Sequence, residues 1–168
     1  MNQGIMKIVI NPTYAILNSF VEGITSIFEF QGESIYKDRN KLKCYTIDGY
    51  HIVVKKFRKP HFINRIAYSF FRPSKAKRAY EFALKLLELG VETPAPIAFI
   101  EQYENGLFTY GYFISIFENE YENIRDLMDG TQKDADLLKE LSVYMADLHT
   151  NGILHLDMSP GNILFKKT

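Results

Sequence analysis

Two side chains near the C-terminus have the types and the spacing that phosphoryl transfer requires. Asp157 is followed five positions later by Asn162, and His155 comes two positions before the aspartate. In a loop with this spacing the carboxylate accepts the proton of an attacking hydroxyl, and the amide oxygen holds a magnesium ion. We therefore predict that Asp157 is the catalytic base and that Asn162 is a catalytic residue and metal ligand.

The histidines of this region allow a second interpretation, a zinc site. His149 and His155 could both reach a metal, but the sequence arranges no cysteine or third ligand for the tetrahedral coordination of zinc. We expect both histidines to pack and to form hydrogen bonds.

A phosphoryl-transfer site also needs a cation on the donor phosphates, and Lys55 is the candidate. It ends the run Ile52–Lys55, which matches the strand pattern that carries such a lysine. Strand alternation places Val53 on the same face, where it could cover an adenine ring, and predicts that Lys56 is a surface residue on the other face. Glu81, on a predicted helix, could fix the Lys55 ammonium. The alternatives are a strand-edge lysine and a solvent-exposed glutamate.

The sequence has no glycine-rich loop to cradle phosphates. The polar tip Lys37–Asn40 precedes Lys55 at a suitable distance, and its backbone amides with Arg39 and Asn40 could take that role. An ordinary polar hairpin tip is the alternative. Ile116 and Glu118, where a later strand reaches a polar stretch, complete the predicted nucleotide contacts.

Hydrophobic periodicity predicts the elements that must position these groups. Helical spacing predicts helices over 13–28, from Ser74 to Gly90 and over about 134–150. Runs of alternating apolar and polar residues, joined by turns at Asp48-Gly49 and Asn105-Gly106, predict strands that pair as hairpins. This order predicts an α+β chain with an N-terminal lobe over 1–117 (antiparallel sheet plus helix), a hinge at 118–122 and a partial helical C-terminal lobe over 123–168.

Composition indicates a folded protein of a reducing compartment. Hydrophobic residues make up 46% and aromatic residues 14% of the chain, and basic and acidic residues are equal in number, so nucleic acid is not an expected partner. The single cysteine, Cys44, excludes an internal disulfide and fits a packed thiol. No apolar run is long enough to span a membrane, and the N-terminus lacks a signal-peptide core. We expect a cytoplasmic protein.

Charge is uneven along the chain. Residues 49–80 contain no acidic side chain but many lysines, arginines and aromatic residues. We call residues 55–78 the basic stretch. One interpretation is a solvated face with aromatic groups packed inward. The other is a surface for anionic lipid or a phosphorylated saccharide.

Two positions in the C-terminal loop favour a small acceptor. Leu156 stands where protein kinases have the arginine that clamps a phosphorylated activation loop. Ser159 stands where they usually have a lysine, two residues after the base. Both differences favour a small-molecule or sugar kinase over a regulated protein kinase.

With these pieces in this order, the chain resembles the bacterial lipopolysaccharide kinase family, which phosphorylates Kdo or heptose hydroxyls of the inner core. The resemblance implies a protein-kinase-like fold, ATP and magnesium as cofactors, and an acceptor at the cytoplasmic face of the inner membrane, with possible peripheral membrane contact. It is carried by residues 35–40, 53–55, 74–81, 86–90, 93–98, 148–149 and 152–157.

The resemblance also implies a second metal-binding aspartate some residues after Asn162, and none precedes Thr168. We therefore expect a fragment of a longer kinase, with little or no phosphotransfer by the 168-residue chain itself. We also expect Ile163 and Leu164 to lack a strand partner, which would expose apolar surface and reduce solubility.

Two other functions remain open from the sequence. An aminoglycoside- or choline-type kinase shares the Asp157–Asn162 spacing and the absent lysine. A pseudokinase-like module that binds nucleotide or a partner without catalysis would explain the missing aspartate.

Overall fold

The chain folds as two units, Met1–Glu118 and Asn119–Thr168. A computed structural model describes residues 4–37, 40–125, 135–154 and 159–166. The predicted hinge begins next to the division between the units, and its role as a hinge stays a prediction.

An antiparallel sheet of six strands forms the centre of the first unit. The sequence predicted an antiparallel sheet in this part of the chain. The strand order is β1-β5-β6-β4-β3-β2, so β4 lies between β3 and β6. The strands are β1 (Ile5–Ile10), β2 (Glu33–Lys37), β3 (Lys41–Ile47), β4 (Tyr50–Lys56), β5 (Pro96–Glu104) and β6 (Leu107–Ile116).

The two predicted turns are present. Asp48 and Gly49 have φ of 50° and 81°, and Asn105 and Gly106 have φ of 52° and 76°. Positive φ at both central residues is the geometry of the two-residue hairpin turns that match the twist of the strands. These turns fix the register of β3 against β4 and of β5 against β6.

One face of the sheet is covered by the N-terminal helical segment. A 3₁₀ segment, Pro12–Leu17, leads into α1 (Asn18–Ile27), so the helix predicted over 13–28 is present in two parts. We call the covered side of the sheet the α1 face. Its core consists of Leu17, Val21, Ile24 and Phe28 packed on Tyr45, Ile52, Val54, Ile97, Ala98, Ile100, Tyr112 and Ile114.

The opposite side, which we call the α3 face, packs against α3 (Lys75–Glu88). Ser74 caps this helix as predicted, because its Oγ accepts a hydrogen bond of 3.1 Å from the Lys77 N–H. The helix ends before Gly90, whose φ is 74°. The core on this side consists of Ala76, Tyr80 and Phe99, with Val9, Phe57, Leu84 and Phe113 packed against it.

Two elements of the first unit were not predicted. The edge strand β1 pairs with β5, with Ile8 opposite Ile100. The helix α2 (Phe62–Phe70) forms within the basic stretch and packs beside the start of β6.

The second unit contains β7 (Glu122–Asn123), α4 (Ala135–Thr150), a 3₁₀ turn at Pro160–Asn162 and β8 (Leu164–Phe165). The helix predicted over 134–150 is confirmed within the described residues. Leu137 and Leu141 on α4 pack with Ile163 against buried Ile124 and Phe165.

The expectation that Ile163 and Leu164 lack a strand partner is wrong. β8 pairs with β7, with Asn123 opposite Leu164, and the Ile124 N–H donates to the Ile163 carbonyl at 3.1 Å. The partner strand comes from the chain before α4, where sequence analysis had predicted no strand.

In the part of the chain that the structure describes, no helix combines the length and the apolar character needed to cross a membrane.

Candidate active site

Lys55 and Val53 lie on the same face of the sheet, as strand alternation predicts. Lys55 is opposite Leu42 on one side and Phe113 on the other. Phe113 belongs to the core on the α3 face, so both β4 side chains project to that side. The Lys55 Nζ is 5.4 Å from the centre of the Phe57 ring. An apolar residue and a cation thus follow each other along one surface of β4, the order that an adenine and its phosphates require.

Cys44 and Ser115 flank Val53 on the neighbouring strands. Burial raises the pKa of the Cys44 thiol, and the nearby Glu33 carboxylate raises it further. The thiol therefore stays protonated at neutral pH, which agrees with the packed role expected from the sequence.

The interpretation of Lys56 as a surface residue is wrong. Its side chain is only 15% exposed, and its Nζ donates to the Glu29 carboxylate at 2.8 Å. The ammonium also lies 4.5, 5.4 and 5.6 Å from the ring centres of Tyr110, Tyr112 and Phe28. The reason is that α1 and the residues after it cover the face that sequence analysis had left to solvent.

Glu29 and Lys56 stabilise each other in their charged forms. Hydrogen bonds from Lys41, at 2.6 Å, and from Lys56 lower the pKa of the Glu29 carboxyl to about 2. Burial alone would lower the pKa of Lys56, but hydrogen bonds with Glu29 and Tyr112 leave it raised above its usual value. The two adjacent lysines of β4 therefore have separate surroundings on opposite faces of the sheet.

Glu81 lies on α3, on an exposed part of the helix. Its carboxylate is 3.6 Å from the Lys77 Nζ, one helical turn earlier. The predicted pairing of Glu81 with Lys55 stays a prediction.

Of the predicted phosphate-binding tip Lys37–Asn40, the structure describes only the first and last residues. Lys37 is the last residue of β2, and the Asn40 side-chain oxygen accepts a hydrogen bond of 3.3 Å from the Arg58 N–H. Arg39 lies outside the described residues, and the cradle stays a prediction.

Ile116 and Glu118 come at the end of the first unit. Ile116 is opposite Ile52 and packs against the core on the α1 face, and its N–H donates to the Ala95 carbonyl at 2.9 Å. This side chain therefore lies on the other side of the sheet from Val53, which gives no support to a nucleotide contact. Glu118 is partly exposed, and its role stays a prediction.

The predicted metal ligand Asn162 ends the short turn between α4 and β8. Its Nδ2 donates to the Ser159 Oγ at 3.1 Å, and its N–H donates to the Ser159 carbonyl at 2.9 Å. These two bonds orient the amide so that Nδ2 faces Ser159. Asp157 and His155 lie outside the described residues.

Asn162 fits magnesium as a single oxygen ligand, because Mg²⁺ prefers hard oxygen donors. Within the described ranges, no three His, Cys, Asp or Glu side chains group as a complete metal site would require. The metal assignment therefore depends on Asn162 and stays a prediction.

Asn123, which sequence analysis did not single out, holds this loop in place. Its Nδ2 donates to the Gly161 carbonyl at 3.1 Å, and its Oδ1 accepts from the Arg125 N–H at 2.9 Å. A side chain at position 161 would overlap the end of the Arg125 side chain, which is exposed and flexible and would move aside. No sequence signal could reveal this contact, because its partners are far apart in the chain.

Comparison with known proteins identifies the family. The model of the lipopolysaccharide kinase (Kdo/WaaP) family matches residues 33–168, which include Lys55 and Asn162. The chain belongs to this family. No curated protein matches it.

A solved structure of a lipopolysaccharide kinase is similar in fold. It is described as WaaP in complex with acyl carrier protein, and it superposes with a TM-score of 0.51 at 13% sequence identity. The match covers 83% of this chain and 53% of the other, so this chain spans about half the length of that protein. The predicted protein-kinase-like α+β fold, with its antiparallel sheet and helix, is confirmed.

Proposed function

We propose that this chain belongs to an ATP-dependent phosphotransferase that acts on a sugar hydroxyl of the lipopolysaccharide inner core, on Kdo or heptose. The observation that carries the proposal is the family match, which spans both Lys55 and the loop around Asn162. We place the reaction in the cytoplasm, where ATP is available.

The donor side of the site is assigned to β4. Bound ATP would supply the phosphoryl group, and Lys55 would hold its phosphates by charge. Val53, on the same face, would cover the adenine ring. Glu81 would fix the lysine head, so that no ordering cost falls on the chemical step.

The acceptor side is assigned to the loop before β8. Asp157 would take the proton of the sugar hydroxyl as its oxygen bonds to the γ-phosphorus and the bond to the ADP oxygen breaks. A positioned base of this kind contributes about 10²–10⁴-fold to the rate. Asn162 would bind magnesium, whose positive charge offsets the charge of the transferring group.

The direct test is phosphate transfer. The 168-residue chain and the product of its complete reading frame are incubated with ATP, magnesium and either core saccharide or an aminoglycoside. We expect the longer product to phosphorylate the core saccharide and Asp157→Ala to abolish transfer while nucleotide binding remains. Phosphate on the aminoglycoside alone would refute the acceptor.

Nucleotide binding separates the remaining alternative from the proposal. Titration calorimetry with ATP should show that Lys55→Ala weakens binding, whereas Lys7→Ala on the edge strand does not. Binding without transfer to any acceptor, in the longer product, would favour the pseudokinase-like module.

A further inference from the structure

Helix α2 packs with its polar side against the protein. The Arg65 Nε donates to the Phe108 carbonyl at 2.8 Å, and the Phe108 N–H donates to the Ser69 Oγ at 2.8 Å. The Tyr68 ring meets the Phe108 ring edge-on, with centres 5.4 Å apart. Arg65, Tyr68 and Ser69 are neighbours on a helix surface, so this is one side of α2.

The other side of the helix is apolar and faces outward. Phe62, Ile63, Phe70 and the following Phe71 are between 61% and 82% exposed. An amphipathic helix on a globular protein ordinarily buries its apolar side and exposes its polar side. The reversed arrangement in α2 leaves a contiguous apolar surface, a feature that marks a site of interaction. We call these four residues the α2 patch.

Cations precede and follow α2 in the chain and line a cavity beside it. Within the described residues, the Lys59 ammonium is 3.7 Å from the Glu104 carboxylate. In the same part of the chain, Arg58, Arg72 and Lys75 form no ion pair with an acid. A cavity of about 190 Å³ opens between α2, the first turn of α3 and the segment after β4. Its lining includes Arg58, Lys59 and Lys75, and α2 contributes Asn64 and Tyr68 to it.

We propose that α2 docks on an anionic phospholipid bilayer. The α2 patch enters the boundary between headgroups and acyl chains, and Arg58, Lys59, Arg72 and Lys75 contact lipid phosphates. Apolar groups beside cations on a short surface helix are the features that bind an anionic interface. A second copy of the chain fits less well, because docking of two such patches would bring their cations together.

This proposal does not depend on phosphoryl transfer, because none of the α2 patch residues is assigned to the candidate active site. It does give the enzyme a means of reaching an acceptor held at a membrane.

Flotation with vesicles tests the proposal. We expect the protein to float with vesicles of phosphatidylcholine and phosphatidylglycerol, to remain behind with phosphatidylcholine alone, and to be released by salt. Phe62→Ser with Ile63→Ser should weaken binding at least about tenfold, because two large apolar groups no longer leave water. Arg58→Gln with Lys59→Gln should also weaken it, by about fivefold for each cation.

The matched control lies elsewhere in the first unit. Ile16 and Phe30 are exposed to a similar extent, and Ile16→Ser with Phe30→Ser should leave vesicle binding unchanged. Equal losses in both double variants, or no binding by the unchanged protein, would overturn the proposal. So would a dimer that only the Phe62→Ser, Ile63→Ser variant dissociates, because the α2 patch would then join two copies.

A fluorescence measurement covers the case in which the serine variants fail to fold. The sequence contains no tryptophan, so Phe62→Trp introduces a single reporter. Its emission should shift to shorter wavelength with anionic vesicles and be quenched by brominated acyl chains. The indole group introduced by Phe30→Trp should remain in water and show neither change. Quenching at both positions, or at neither, would contradict docking through α2.

Discussion

The substitution Glu29→Gln tests the ion pair between Glu29 and Lys56 on the α1 face. It keeps the shape of the side chain and removes the charge that accepts hydrogen bonds from Lys41 and Lys56. The pKa of Glu29 falls from 4.5 to about 2, which at about 1.4 kcal/mol per pKa unit sets a ceiling of about 3 kcal/mol. Because the Glu29 side chain is 42% exposed, solvent screening reduces this, and we expect a loss of about 1 kcal/mol.

The pH dependence has a definite sign. A carboxyl whose pKa is lower in the folded state stabilises the fold above its unfolded pKa of 4.5. The stabilisation is lost as the pH falls through the folded value of about 2. The unfolding free energies of the two proteins should therefore differ most at neutral pH and converge in acid.

Urea unfolding, followed by circular dichroism at neutral pH and again near pH 3, measures this difference. Glu104→Gln is the control, because Glu104 pairs with Lys59 at 3.7 Å and is more exposed than Glu29. If Glu29→Gln costs no more than Glu104→Gln at neutral pH, or if its cost is as large in acid, then the charge pair does not stabilise the fold as described.

Three further predictions concern single residues. Lys55→Ala should leave the melting temperature within a few degrees of the unchanged protein but weaken ATP binding in calorimetry by at least about tenfold; undiminished affinity would show that Lys55 is misassigned. Gly32→Ala should lower the unfolding free energy by about 3 kcal/mol, because φ is 84° and the new methyl would overlap the Tyr45 ring. Gly49→Ala, with φ of 81° and open space around it, should cost only about 1 kcal/mol in the same urea titration, and equal costs would refute the overlap. Asn123→Ala should speed amide hydrogen exchange at Arg125 and over residues 159–163 by about tenfold, because the Arg125 N–H and the Gly161 carbonyl each lose their hydrogen bond to the Asn123 side chain; unchanged exchange would mean that other contacts hold the loop.

The parts of the fold that sequence analysis predicted are those with local signals. The Asp48-Gly49 turn and the Ser74 cap each depend on neighbouring residues, and both are present in the structure. Alternation along β4 was enough to place Val53 and Lys55 on one face. Asn162 lies in the turn before β8, and its assignment as a metal ligand stays a prediction.

The parts that could not be predicted depend on contacts between distant segments. β1 is a strand because β5 pairs with it, and Lys56 is enclosed because the end of α1 brings Glu29 to it. Asn123 reaches Gly161 in the same way. Helix α2 was missed for another reason: its apolar residues have helical spacing, but the region was interpreted by its charge and aromatic content alone.

The opposite orientations of Lys55 and Lys56 limit how β4 can change in length. An insertion or deletion of one residue within Ile52–Lys56 would move the Lys55 ammonium to the α1 face, toward Glu29, and the Lys56 ammonium to the α3 face. It would also exchange Val53 for Val54 between the two faces, which would disrupt the core on the α1 face. Length variation among natural variants should therefore collect at the Asp48-Gly49 turn, which has open space around it.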